Sequence, residues 1–221
     1  MEMFTAIRNS AVGLGIFAVV TAGAIALTQV STEQRIADNI EAQQAKALYE
    51  IVPESSIDND MLSDTVIIED ADLTGLAQAT AFRARRKGQV ETVIMPVIAP
   101  DGYTGAISLI VGINRDETLA GVRVLAHKET PGLGDKVELK KSDWVLSFNG
   151  QQYNGDNDTN WAVKKDGGRF DQFTGATITP RAIVNATAAA IHYFREHKTA
   201  LLDNPQPQDS QAATNASTGA E

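Results

Sequence analysis

Residues 171–180, DQFTGATITP, are the part of this chain whose side chains and spacing most directly suggest chemistry. Small residues and hydroxyls stand just ahead of a well-marked helix start. Thr179 suits an N-cap, and Pro180 suits the first helical position, where its missing N–H is no loss. The start of a helix presents unpaired N–H groups and a partial positive charge, which suit a phosphate or another anion. Gly175 and Ala176 would let such a group approach the backbone, while Thr174 and Thr177 offer hydroxyls. The same residues also make an ordinary turn ahead of a capped helix. On residue types alone both readings stand.

A second segment, ETPGLG at 129–134, combines Pro131 with Gly132 and Gly134, which fix a tight loop that another group could approach closely. It reads equally as a strand-to-helix turn. Lys164 and Lys165 either help to neutralise a phosphate or form a solvated surface. Trp144 and Trp161 either stack on a planar ligand or pack in the core. His192 and His197 are five residues apart, about 140° around a helix, so they do not form a same-face metal pair. His127, Tyr103 and Tyr193 read as structural, and Glu69, Asp70 and Asp72 as a solvated acidic loop. No Ser-His-Asp order and no metal-ligand spacing stands out.

Composition narrows the chemistry further. A net charge of -9 and a pI near 4.8 argue against a nucleic-acid partner, because phosphate-backbone binding is carried mostly by clustered Lys and Arg. There are 0 cysteines, which excludes disulfides, thiolate metal sites, iron–sulfur ligation and a Cys nucleophile. Any redox chemistry must therefore be borrowed from an organic cofactor.

The elements that would position these residues begin with an uncharged stretch at 11–30, AVGLGIFAVVTAGAIALTQV. About 20 helical residues span about 30 Å, the thickness of a bilayer hydrocarbon core. A retained anchor is expected, because a cleaved signal sequence has an apolar region of only about 7 to 15 residues. Signal-peptide cleavage after small residues near Ala26 is the competing reading. Residues 31–52 repeat apolar positions at Ile36, Ile40, Ala47, Leu48 and Ile51, as a linking amphipathic helix would, and stop at Pro53. The N-terminus is expected inside and the domain outside, although Arg8 is offset by Arg35 and Lys46.

Residues 53–202 then read as one domain. ATAFRARR, VETVIMPVIA, GAISLIVGI and LAGVRVLAH form successive strands, joined by a turn at Lys87 and Gly88 and a polar hairpin at Asn114 to Glu117. A sheet with one packed face follows. Asp143 to Phe148 predicts a short helix capped by Ser142, and 180–202 a final helix whose Val184, Thr187, Ile191 and Phe194 face the sheet. Residues 203–221 lack a large apolar side chain and are expected to be a disordered tail. The fold class is α+β: an antiparallel sheet packed with helices, plus one N-terminal transmembrane helix.

Asp171, Thr174, Gly175, Ala176 and Thr177 fit the D-x-x-[ST]-G-A-T flavinylation signature of the FMN-binding domain family. Longer stretches resemble one branch of that family: APDGYTGAISLIVG (99–112), HKETPGLGDKVEL (127–139), SDW (142–144) and WAVKKDGGRFDQFTGATITPRAIVNA (161–186). The chain resembles the G subunit of Rnf-type ion-translocating oxidoreductase complexes (RnfG, or RsxG). It is more distantly similar to the C subunit of the sodium-pumping quinone reductase. The resemblance runs through the anchor and the domain to about Leu201.

It implies FMN joined through a phosphoester to Thr177 by a separate flavin transferase, which reads Asp171 as part of its signature. It further implies a flavin site with Glu129, Thr130, Gly132 and Leu133 on one wall and Thr174, Gly175 and Ala176 on the other, with Leu133 packed on the ring. Glu129 would either accept a hydrogen bond from the flavin or fix its loop. The implied role is electron relay between ferredoxin and NAD, with the A, B, C, D and E subunits as partners and D as the close neighbour. The implied location is the bacterial inner membrane, with the domain periplasmic. Reversible binding of a phosphate-bearing ligand and a purely structural tether are the other readings.

Overall fold

The computed structural model describes residues 2–155 and 157–203, so the tail expected at 203–221 lies outside the described residues apart from Asp203. The chain divides into two units, Met1–Gln44 and Ala45–Glu221.

The first unit is helical. Helix α1 is assigned to Glu2–Ile51, and within it Ile7–Glu33, 27 residues with mean hydropathy 2.1, is long and apolar enough to cross a membrane. At 1.5 Å per residue that stretch measures roughly 40 Å, more than the ~30 Å of a hydrocarbon core. Two of its threonine hydroxyls are satisfied locally: Thr21 donates to Phe17 O, and Thr28 donates to Ala24 O at 2.8 Å. Side chains that bond back to the helix in this way need no water.

The second unit is built on a five-stranded antiparallel sheet in the order β1 to β5: β1 (Thr65–Ile68), β2 (Ala79–Arg86), β3 (Gln89–Ala99), β4 (Ile107–Asn114) and β5 (Leu119–Ala126). Each strand pairs with its sequence neighbour, so short reversals suffice. Lys87 and Gly88 both take positive φ, 54° and 75°, as a two-residue hairpin turn matched to strand twist requires. A short helix α2 (Ala71–Thr74) follows β1, and its N-cap Asp70 accepts the Leu73 N–H at 2.9 Å. Part of the expected acidic loop is thus a helix cap. Strand β1, TVII, is an element that sequence periodicity did not identify.

Helices α3 (Ile178–Glu196) and α4 (Lys198–Leu202) come last. Val184, Thr187, Ile191 and Phe194 are all buried, as the helical spacing predicts, in a core shared with Leu109, Val111 and Val122 of the sheet. Phe148 and Phe170 stack in the same core at a centroid distance of 4.4 Å. The expected short helix at Asp143–Phe148 is a 3-10 helix, with Ser142 accepting the Trp144 N–H at 3.1 Å. Trp144 and Trp161 are both core residues, and the Trp161 indole donates to Val184 O at 3.0 Å.

The expectation of a single packed face needs correction. The opposite face of the sheet carries Phe82, Ala84, Ile94 and Ile110, which pack with Leu48, Ile51, Val52 and Met61. Gly112 and Gly121 make this approach possible, since a Cβ on Gly112 would lie 2.7 Å from Ile51 Cγ2. The Arg123 guanidinium fastens the same turn by donating to Glu50 O at 2.9 Å and to the Glu50 carboxylate at 3.2 Å. Beside this layer Asp64 is gripped by Arg83 and Arg85 at 2.6 and 2.5 Å, with all three residues buried. Such a pair supports the fold only because each partner holds the other; removing one strands a charge.

Candidate functional site

The two loops singled out in the sequence face one another. Phe173 to Ala176 form a tight turn closed by the Ala176 N–H donating to Phe173 O at 3.0 Å, with Gly175 at φ +82°. That angle suits glycine. A Cβ on Gly175 would stand 3.5 Å from Leu133 Cδ2, so Leu133 lies directly against the turn. The Leu133 loop is closed by its own hydrogen bonds: Leu133 and Gly134 N–H groups both donate to Thr130 O at 3.1 Å, and the Gly132 N–H donates to buried Asp135 at 2.7 Å.

Between them lies a recess of about 140 Å³, lined by both loops, by the first turn of α3 and by Tyr103. Of the residues proposed from sequence, Glu129, Thr130, Leu133, Gly175, Ala176 and Thr177 line it. Gly132 and Thr174 sit in the flanking turns instead. Asp171 is an exposed residue whose carboxylate pairs with Lys164 at 2.6 Å, and its carbonyl accepts the Trp144 indole N–H at 2.7 Å. Lys164 is thus engaged by Asp171, and neither it nor Lys165 lines the recess.

The helix begins two residues earlier than expected. Thr177 is the N-cap, yet its hydroxyl makes no capping bond. Thr179, read from sequence as the cap, is completely buried and donates instead to Glu129 Oε2 at 2.5 Å. Ile178 and Thr179 contribute first-turn N–H groups, whereas Pro180 has none. The result is a partly exposed hydroxyl at the positive end of a 19-residue helix, with small residues before it.

Glu129 ties the walls together. Its Oε1 accepts the Thr104 N–H at 3.0 Å and the Thr104 hydroxyl at 3.1 Å, while Oε2 takes the Thr179 hydroxyl. Three of roughly four acceptor directions are filled within the protein, which matches the loop-fixing alternative for this residue. Burial pushes the carboxyl up, but the bonds from Thr179 and Thr104 outweigh it and hold Glu129 below the usual carboxylate range. The Glu129 N–H donates to His127 Nδ1 at 3.0 Å. That ring nitrogen therefore carries no proton, and Nε2 donates to Glu138 at 2.7 Å.

Four lining residues are not among the site residues proposed from sequence: Tyr103, Gly134, Ile178 and Thr179. Tyr103, expected to be structural, is 67% exposed at the rim. Ile178, at the first helical position, is 44% exposed, close to the 42% of Leu133. No local signal marked Tyr103, which is placed by its neighbour Thr104 bonding Glu129 across 25 residues of sequence. Gly134 is also required, since a Cβ there would fall 2.7 Å from Glu129 Oε2.

The site pairs a free hydroxyl and helix N–H groups, fit for a phosphate, with exposed apolar side chains fit for a planar ring. Its small volume, against roughly 300–1,000 Å³ for an enclosing ligand pocket, suits a ligand only partly buried. These are the features of a domain that presents a phosphate-bearing aromatic cofactor at its surface. Residues 102–192 match the model of the FMN-binding domain, and residues 1–51 match that of the RnfG N-terminal region.

The G subunit of the ion-translocating oxidoreductase complex of Vibrio cholerae serotype O1 is 46% identical over 209 residues, covering 95% of this chain and 100% of the relative. The corresponding G subunit from Pseudomonas aeruginosa is 49% identical over 197 residues, covering 89% and 92%. That from Pseudoalteromonas atlantica is 46% identical over 202 residues, covering 91% and 94%. The chain belongs to the family of G subunits of ion-translocating oxidoreductase complexes, and it carries an FMN-binding domain.

Proposed function

We propose that this chain is an electron-transfer subunit of an ion-translocating oxidoreductase complex, with FMN joined through its phosphate to the Thr177 hydroxyl. The observation that carries the reading is the Thr177 side chain: an uncapped hydroxyl at the start of α3, lining the recess opposite Leu133. A threonine hydroxyl is a poor nucleophile unless a base or metal activates it. The Glu129 carboxylate is already committed to Thr104 and Thr179. This supports attachment by a separate flavin transferase, with Asp171, Thr174, Gly175 and Ala176 read as its signature.

When bound, FMN supplies the electron acceptor and donor that the side chains lack. The first turn of α3 would hold the phosphate end, with Gly175 and Ala176 leaving it room. Leu133, Ile178 and Tyr103 would contact the ring, and Thr130 and Gly132 would fix the loop that carries Leu133. In the complex the chain would relay electrons on a path between ferredoxin and NAD, beside the D subunit and with A, B, C and E. Residues 11–30 carry no charge and offer no ion path of their own. Ion movement would then belong to the assembly.

The proposed organisation is a retained membrane segment at 11–30, a linking helix at 31–52, a periplasmic domain at 53–202 and a tail beyond it, in the inner membrane. Thr177→Ala, coexpressed with the transferase, should lose in-gel flavin fluorescence while the domain stays folded. Fluorescence persisting at wild-type stoichiometry would refute the attachment.

A further inference from the structure

We propose that Glu129 is a positioning residue whose fixed negative charge, set in the wall of the recess, lowers the reduction potential of the FMN held there. The inference rests on FMN occupying this recess. Glu129 is the only charged side chain among the described lining residues, and it is 4% exposed. All three groups that bond its carboxylate are neutral: the Thr104 N–H, the Thr104 hydroxyl and the Thr179 hydroxyl. His127, whose charge if protonated would bear on Glu129, meets the Glu129 backbone through an unprotonated Nδ1 and gives its Nε2 proton toward Glu138.

Among the described residues no cation forms a salt bridge with Glu129. Lys164 is held by Asp171, and Lys141 stands near Asp135 at 3.7 Å. A carboxylate solvated by neutral donors keeps its full charge, whereas one in an ion pair largely cancels it. In a buried setting that charge is weakly screened and reaches its neighbours strongly. The partial positive end of α3 offsets only part of it.

Two-electron reduction of FMN with uptake of one proton leaves the ring one unit more negative. Uptake of two protons leaves its charge unchanged. A fixed anion nearby opposes the first outcome and so favours the oxidised ring. The same carboxylate anchors Thr104 and the first turn of α3, which keeps the charge at a constant distance from the site.

The test is a reductive titration of the full-length chain in detergent, with dithionite and reference dyes at mildly alkaline pH. Glu129→Gln should shift the midpoint positive, while Glu129→Asp, which keeps the charge but shortens the reach, should stay near wild type. Equal midpoints in wild type and Glu129→Gln, or equal shifts in Glu129→Gln and Glu129→Asp, would overturn the proposal. Thermal unfolding of each variant separates loss of packing from loss of charge. A wild-type chain that loses its flavin on denaturation would refute covalent attachment alone. The midpoint comparison would then be made on reversibly bound FMN and would still decide the role of Glu129.

Discussion

Thr179 and Thr177 exchange the roles that residue types suggest. Thr179 carries the better local signal for a cap because Pro180 follows it, but its hydroxyl is drawn inward by Glu129, 50 residues away in sequence. No local pattern encodes that bond. Thr177 takes the cap position with its hydroxyl left over, which is the property that an attachment point needs. Thr179→Val should cost about 1–3 kcal/mol by leaving a buried carboxylate oxygen short of a donor. The folded-state pKa of Glu129 lies below its ordinary value, so its contribution is present at neutral pH and is lost as acidification passes through that depressed pKa. The stability gap between Thr179→Val and wild type should therefore narrow as acidification protonates Glu129. Denaturant unfolding at several pH values checks this, and a gap independent of pH would contradict it.

The elements were largely legible because their signals are local. The apolar runs of β2 to β5, the turn at Lys87 and Gly88, and the buried stripe of α3 can each be read within one segment. What was not legible depends on distant partners. β1 is only 4 residues long, too short to declare a period. The second packed face relies on Ile51 meeting Gly112 and Gly121, and a glycine in a strand does not announce what approaches it. The recess is likewise legible as two loops but not as a pair, because Leu133 and Gly175 meet only after the sheet and α3 have formed. Gly112→Ala should cost about 1–3 kcal/mol through overpacking against Ile51 and should leave flavin content unchanged, since Gly112 is not a lining residue of the recess. Thermal unfolding with in-gel fluorescence tests both halves; an unaltered melting temperature would place the strain elsewhere.

At the scale of the whole molecule, a membrane-length apolar stretch precedes a domain that offers a surface site. The Ile7–Glu33 stretch is expected to remain in the mature chain. The intact mass of protein extracted from membranes should then include residues 11–30, whereas a chain beginning near Ala26 would establish signal cleavage. Attachment of FMN at Thr177 is decided by tandem mass spectrometry of the denatured, protease-digested chain. The peptide containing DQFTGATITP should carry the mass of FMN less one water, with the fragment series placing it on Thr177. An unmodified peptide from a chain that had been yellow before denaturation, or an adduct on Thr174 or Thr179, would contradict it.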